Sequence, residues 1–256
     1  MIHPQAIIEP GAVIGENVSI GPWTYIANNV VIGDNCDISS HVVIKGPTRL
    51  GKGNRIFQFA SIGEDCQDLK YAGEPTELII GDNNIFRESC TIHRGTAQDK
   101  SLTQIGSHNL FMAYTHVAHD CMVGSHCIMA NNASIAGHVY VGDYVIIGGM
   151  AGVHQFCHIG QHSFVAANAL VLKDIPAYVM ASGQPAKPFG LNSEGLKRRG
   201  FAKEIILTIK RAYKTVYRKG LSVNDALVSI SDLGDDSPEL KAFTDSVKNS
   251  TRGIIR

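Results

Sequence analysis

The chain has 256 residues, enough for one large domain and a small one. Lysine plus arginine equals aspartate plus glutamate at 23 each, so no global field draws it to nucleic acid or to an anionic membrane. No apolar run approaches the roughly 18 residues of a membrane span, six cysteines form no CxxC pair, and the ordered pattern begins at Ile2 with no room for a signal peptide. A cytoplasmic protein with reduced thiols is therefore expected.

From Ile2, every sixth residue is apolar, through Ile8, Ile14 and onward to Leu50, Ile56 and Ile62. The anchors return at Ile80, Phe86 and Ile92, and a third array runs from Ile105 to Val171 without a miss. A period of six fits neither the 3.6-residue helix nor a plain alternating strand; it suits a short strand followed by a sharp corner. Each hexapeptide then supplies one inward anchor and one corner. Glycine and asparagine tolerate the positive φ of a corner; Gly33, Gly51, Gly63, Gly81, Gly106, Gly124, Gly142, Gly148 and Gly160 directly follow anchors, and Asn35, Asn83, Asn84, Asn131 and Asn132 cluster between them. Three strands per turn stack residues eighteen apart and give roughly nine turns, a prism on the order of 40 Å long. The pattern predicts a parallel β-helix over 1–190. Its period does not set the handedness, for which the general rule of parallel crossovers favours right-handed winding.

Two stretches break the register. From 64 to 79 the anchors vanish, and from 93 to 104 they vanish again, with Ile105 thirteen residues after Ile92 rather than twelve. Two excursions from the same middle section predict a cleft there. After Val171 the chain leaves the solenoid through a turn-rich stretch, 183–188. From 191 to 256 the period becomes helical, with a cap at Asn192 or Ser193 and segments near 194–199, 202–219, 222–230 and 238–247. Nine basic residues against the single acid Glu204 between 197 and 219 make a local cationic face in a neutral protein.

Eight of the eleven histidines fall between 108 and 162. In His116-Val117-Ala118-His119-Asp120, Val117 is an inward anchor, so His116 points outward and His119 sits near the following corner. A histidine poised near neutral pH suits general-base catalysis. Other readings of the residues stay open at this point: His116, His119 and His138 could hold zinc across a subunit boundary, as in a γ-carbonic-anhydrase-like enzyme, or the prism could be a non-catalytic scaffold that binds a carrier protein.

The hexapeptide arrays occur together with Gln67-Asp68-Leu69-Lys70-Tyr71-Ala72-Gly73-Glu74-Pro75, Ile92-His93-Arg94-Gly95-Thr96, Ala118-His119-Asp120-Cys121, Ala136-Gly137-His138-Val139, Val153-His154-Gln155-Phe156 and Glu194-Gly195-Leu196-Lys197-Arg198-Arg199-Gly200-Phe201. Over essentially its whole length the chain resembles the UDP-N-acetylglucosamine O-acyltransferase family. The resemblance implies a left-handed parallel β-helix with a C-terminal α-helical domain, assembled as a homotrimer with active sites between subunits. It implies transfer of an (R)-3-hydroxyacyl group from acyl carrier protein to the glucosamine 3-hydroxyl of UDP-N-acetylglucosamine, the first step of lipid A biosynthesis. No metal or other cofactor is expected, since the phosphopantetheine arrives on the carrier protein. A sugar 3-amino N-acyltransferase of the same family is the nearest alternative.

Carried onto this sequence, the resemblance makes His119 the general base, with Asp120 orienting it although neighbouring strand residues normally diverge. Gly137 N–H would donate to the oxyanion. Asp68, Lys70, His116, His138, His154, Gln155, Asn192, Glu194 and Arg199 would bind the nucleotide sugar, with Lys70 and Arg199 suited to phosphate. Arg198, Lys203, Lys210 and Arg211 would face the acidic carrier protein. Ala167 would lie at the acyl-length ruler, its small side chain pointing to about 12 to 14 carbons.

Overall fold

In the computed structural model, residues 1–232 and 237–256 are described. The hexapeptide anchors build a three-sided prism whose faces are parallel sheets of nine, eight and ten strands, most of them only two residues long. Within each face, residues one coil apart pair in register: Ile8 with Ile26, Ile14 with Ile32, Ile20 with Ile2 and Ile38. The anchors of all three faces meet along the axis. Ile26, Ile44, Ile62, Ile92, Val117 and Ile135 are fully buried, and each such side chain withdrawn from water stabilises the coil by about 1.5–3 kcal/mol. The winding is left-handed, opposite to the sense the crossover rule favours.

Most corners are not where the post-anchor glycines are, Gly63 with φ +76° excepted. The positive-φ residue stands three positions after most anchors and is seldom glycine: Asn17, Trp23, Asn35, His41, Phe59, His108, Asp120, His126, His138 and Tyr144 all have φ between +54° and +65°. The glycine that directly follows an anchor answers a different demand. A Cβ at Gly106 would lie 2.7 Å from the Gly124 carbonyl oxygen in the next coil, so the residue is small because two backbones meet there. Stacked corners form three edge columns; on two of them aromatic rings pile up in runs of three or more, as in Trp23–His41–Phe59 with centroids 4.9 and 5.4 Å apart, and on the third His138 and Phe156 stack as a pair.

Both excursions leave the prism without disturbing the core. Leu50 pairs directly with Ile80, and Ile80 with Ile105, so the extra residues are looped out and the ladder closes behind them. The loops are tighter than the broken register indicated, because Ser61–Glu64, Glu77–Ile80 and Leu102–Ile105 are strands. A buried ladder of Asn54, Asn84 and Asn109 runs past them, each amide bonding the next coil's backbone or amide at 2.7–3.1 Å. The turn-rich exit is a hairpin: Val179–Ser182 and Lys187–Leu191 pair antiparallel at the end of the third face.

Four helices follow, α1 (Ser193–Arg198), α2 (Lys203–Arg218), α3 (Val223–Ser231) and α4 (Pro238–Lys248). Asn192 rather than Ser193 caps α1, accepting from Gly195 N–H, and Ser222 and Ser237 cap α3 and α4. Asp174 latches this region to the last coil. Its buried carboxylate accepts from His158 N–H at 2.8 Å, Ser250 Oγ at 2.7 Å and Thr251 N–H at 3.2 Å, while Asp174 N–H donates to Gly253 O at 3.0 Å.

Candidate active site

Because Val117, Ile135 and Val153 point inward on successive coils of the first face, their neighbours point out. Ala118, Ser134, Ala136 and Gly152 thus make a floor of small residues. His93, His116, His119, His154, Gln155, and Gln67 and Asp68 of the first loop line the rest of a groove of about 520 Å³. Arg94 pins that loop: buried, it donates to Gly63 O, to the Asp65 carboxylate and, at 3.0 Å, to Tyr71 OH.

His119 and Asp120 meet instead of diverging. Asp120 is a corner residue with φ +57°, and the left-handed kink swings its carboxylate back to His119, with Oδ2 2.8 Å from Nδ1. The second loop completes its surroundings: Thr96 N–H donates to both oxygens at 3.0 and 3.1 Å and Thr96 Oγ1 to Oδ2 at 2.6 Å. Asp120 is 1% exposed, and burial on its own would raise its pKa; the hydrogen bonds from His119 and Thr96 outweigh that and hold the carboxyl below its usual range. A carboxylate at Nδ1 fixes the tautomer with the proton on that nitrogen, so Nε2 carries the lone pair.

Gly137 is glycine because of that ring. A Cβ there would stand 2.5 Å from His119 Cε1 and 2.7 Å from Nε2, so any side chain would push the imidazole away. The Gly137 N–H has no protein acceptor among the described residues. A base nitrogen and a free donor therefore lie together, the pairing that acyl transfer uses.

Around this pair, His138 packs edge-on to His119 with centroids 5.0 Å apart, stacks on Phe156 at 4.3 Å, and bonds Asp99 of the second loop through Nδ1 at 2.7 Å. His116 bonds Thr91 Oγ1 at 2.8 Å, and burial, with the charge of His119, lowers its pKa. His93 packs edge-on to His116 and is pushed down to about 4, first by burial and then by His116. Both are neutral donors or acceptors at pH 7. His119, Asp120 and His138 also present donor atoms within 4.8 Å of one another, so these three, rather than His116, His119 and His138, could hold a metal. Such an ion would compete with Thr96 and His119 for oxygens already in use.

The remaining expected residues lie elsewhere on the chain. Lys70 is exposed on the first loop, its N–H on Asp68 Oδ1 at 3.0 Å. Asn192 is buried at the second edge, its Nδ2 on His162 O at 2.9 Å, and Arg199 joins it there, its guanidinium 5.2 Å from the Tyr144 ring and Nη2 on Tyr144 O at 3.1 Å. Burial lowers the Arg199 pKa, and Nη1 is buried without a partner. Glu194 is exposed and paired with Lys197, Ala167 is exposed beyond the third face, and Arg198, Lys203, Lys210 and Arg211 are exposed on α1 and α2. Sequence reasoning missed His93, Ser134, Thr96 and Asp99 as parts of the site. His93 follows an anchor and could have been found as an outward neighbour; the other loop residues carry no periodic signal.

Similarity to known proteins agrees with this geometry. Hexapeptide-transferase repeats match 1–28, 11–46 and 102–137, and the model described as UDP N-acetylglucosamine O-acyltransferase, domain 2, matches 174–255, from the Asp174 latch onward. A curated acyl-[acyl-carrier-protein]–UDP-N-acetylglucosamine O-acyltransferase of Stutzerimonas stutzeri is 53% identical, with 100% of this chain and 99% of the relative covered. Among solved structures, LpxA of Acinetobacter baumannii aligns with TM-score 0.97 at 53% identity, and UDP-N-acetylglucosamine O-acyltransferase of Moraxella catarrhalis with TM-score 0.97 at 49% identity, each over 100% of this chain and 99% of the other. With the alignment running the full length of the chain, through the coil and the helical cap, this chain belongs to the UDP-N-acetylglucosamine O-acyltransferase family.

Proposed function

We propose that the chain transfers an (R)-3-hydroxyacyl group from acyl carrier protein to the glucosamine 3-hydroxyl of UDP-N-acetylglucosamine, opening lipid A biosynthesis. The observation that carries the chemistry is His119 held through Nδ1 by buried Asp120, its ring close against Gly137, whose N–H has no acceptor among the described residues. His119 Nε2 takes the proton of the sugar hydroxyl as its oxygen attacks the thioester carbonyl. The resulting oxyanion accepts from Gly137 N–H, a kind of contact worth about 3 kcal/mol in a closed site. Collapse breaks the carbon–sulfur bond, and the His119 imidazolium returns its proton to the departing pantetheine thiolate. Asp120 stays ionised and stabilises the imidazolium in between.

Asp68, Lys70, His116, His138, His154 and Gln155 bind the acceptor sugar on the groove side, Lys70 from the same loop as Asp68. Asn192, Glu194 and Arg199 serve the same ligand from a neighbouring subunit of a homotrimer. Support for this division is that Asn192 and Arg199 sit at a different prism edge from His119, where Arg199 keeps a buried nitrogen unsatisfied. The exposed cations on α1 and α2 steer the acidic carrier protein, and Ala167 lies toward the end of the acyl path, favouring chains of about 12 to 14 carbons. No helix among the described residues is long and apolar enough to cross a membrane; the enzyme works in the cytoplasm, and its six cysteines are buried and unpaired.

The test offers a panel of 3-hydroxyacyl carrier proteins with UDP-N-acetylglucosamine or its 3-amino analogue, with and without chelator. A 3-O-ester formed at the same rate, within about twofold, after chelation is the expected product. Preference for the amino sugar would make the chain an N-acyltransferase. Loss of activity on chelation, restored by zinc, would instead assign His119, Asp120 and His138 to a metal.

A further inference from the structure

The second loop touches both groove histidines by separate routes. Thr96 holds the Asp120 carboxylate that orients His119. Three residues on, Asp99 reaches His138 Nδ1 at 2.7 Å, the only hydrogen bond of that carboxylate among the described residues. Asp120 Oδ2 is 3.9 Å from the same nitrogen, too far for a hydrogen bond, so Asp99 alone sets this ring's orientation along the hydrogen-bonding direction. Phe156, stacked at 4.3 Å and nearly parallel, fixes the ring plane but leaves it free to flip within that plane. Without Asp99, either nitrogen of His138 could take the Nδ1 position beside the second loop.

We propose that Asp99 is a positioning residue: it accepts from the Nδ1–H of His138 and so presents Nε2, as an acceptor, to a hydroxyl of the sugar nucleotide. The loop is a two-point brace. Through Thr96 it holds the buried Asp120 carboxylate at His119 Nδ1, and through Asp99 it supplies His138 Nδ1 with a carboxylate that is 36% exposed. His119 takes a proton in the reaction, whereas His138 holds the acceptor in place. This inference rests on the acyl-transfer reading for the identity of the ligand, but the Asp99–His138 bond itself does not.

The test measures two things on Asp99→Ala and Asp99→Asn. Ring nitrogen-15 spectra of histidine-labelled enzyme report the neutral tautomer of His138 in the free enzyme, and steady-state kinetics report KM for each substrate. Imidazole in water favours the Nε2–H tautomer, so Asp99→Ala should shift His138 from Nδ1–H to mainly Nε2–H. It should also raise KM for UDP-N-acetylglucosamine about five- to tenfold, the size of one hydrogen bond to a half-exposed carboxylate, with KM for the acyl carrier protein within about twofold. Asp99→Asn keeps an acceptor oxygen and should retain the Nδ1–H tautomer and most of the affinity. An unchanged tautomer in Asp99→Ala would overturn the proposal. So would an equal loss toward both substrates with a lowered melting temperature, which would make Asp99 a fold residue. If the wild-type chain did not bind the sugar nucleotide at all, the tautomer shift would still be seen, separating failure of the functional reading from failure of the brace.

Discussion

Two edges of the prism have the same left-handed corner, repeated every coil, and use it in opposite ways. On the first edge the corner residues are Asp120, His138 and Phe156, beside the groove; the second loop gives Asp120 a threonine and His138 a carboxylate, and Phe156 stacks on His138. On the second, His108, His126, Tyr144, His162 and Tyr178 stack face to face with centroids 4.6 to 5.7 Å apart, closing on one another. The backbone is equivalent, so partners decide the role. Where a loop supplies a carboxylate, as Asp99 does for His138, a corner histidine is oriented by a hydrogen bond beside the groove even though a ring stacks on it; where rings lie on both sides and no loop reaches in, it becomes part of a column.

The largest effect that would break this contrast is at His119. Replacing it by alanine should lower kcat about 10²–10⁴-fold, the usual worth of a positioned base, with the circular-dichroism spectrum and melting temperature retained because the ring is not part of the core. A rate within tenfold of wild type would remove the general-base assignment. Gly137→Ala comes next. Its Cβ would occupy space within 2.7 Å of Nε2, so the imidazole must leave Asp120 or tilt, and a misplacement near 1 Å costs about 10²-fold in rate. Folding should be hardly affected, since the atom it meets is the end of a side chain. Normal kinetics in this variant would show that the ring has room and that the oxyanion lies elsewhere.

Much of this was legible in the sequence for a plain reason. An anchor every sixth residue fixes the coil, the three faces and the outward direction of His116, because packing on the axis leaves each hexapeptide one choice of register. The corner is only half legible: Asn35, Asn83 and Asn132 are positive-φ residues, as is Gly63, but most glycines after anchors answer backbone crowding between coils, and the kink falls two positions later on asparagine, histidine and aromatics. That one displacement explains why Asp120 was expected to diverge from His119 and instead meets it. Thr96 and Asp99 were invisible because contacts from a looped-out segment have no period, and only the fold brings 96 next to 120 and 99 next to 138.

The smallest effect sharpens the comparison from the other edge. His162 is 8% exposed, packed between Tyr144 and Tyr178, and Nδ1 has no partner. Burial and then the charge of Arg199 push its pKa from 6.5 down to about 4. The folded state thus prefers the neutral ring. Its contribution is fully present above pH 6.5, where the ring is neutral folded or unfolded, and is lost as the unfolded chain takes up a proton that the native column refuses. Between pH 6.5 and about 4 that amounts to at most ~3 kcal/mol from this one group. His162→Phe keeps a flat ring in the stack and removes the titration. Urea unfolding from pH 7 to pH 4 should lose less stability in the variant than in the wild type, by up to one proton's worth per pH unit, while the turnover at pH 7.5 stays within about threefold. His93 titrates in the same window and leaves a remaining slope. Parallel stability curves for variant and wild type would mean that the column is wet enough to charge His162 in place, and the two edges would then differ in partners but not in access to protons.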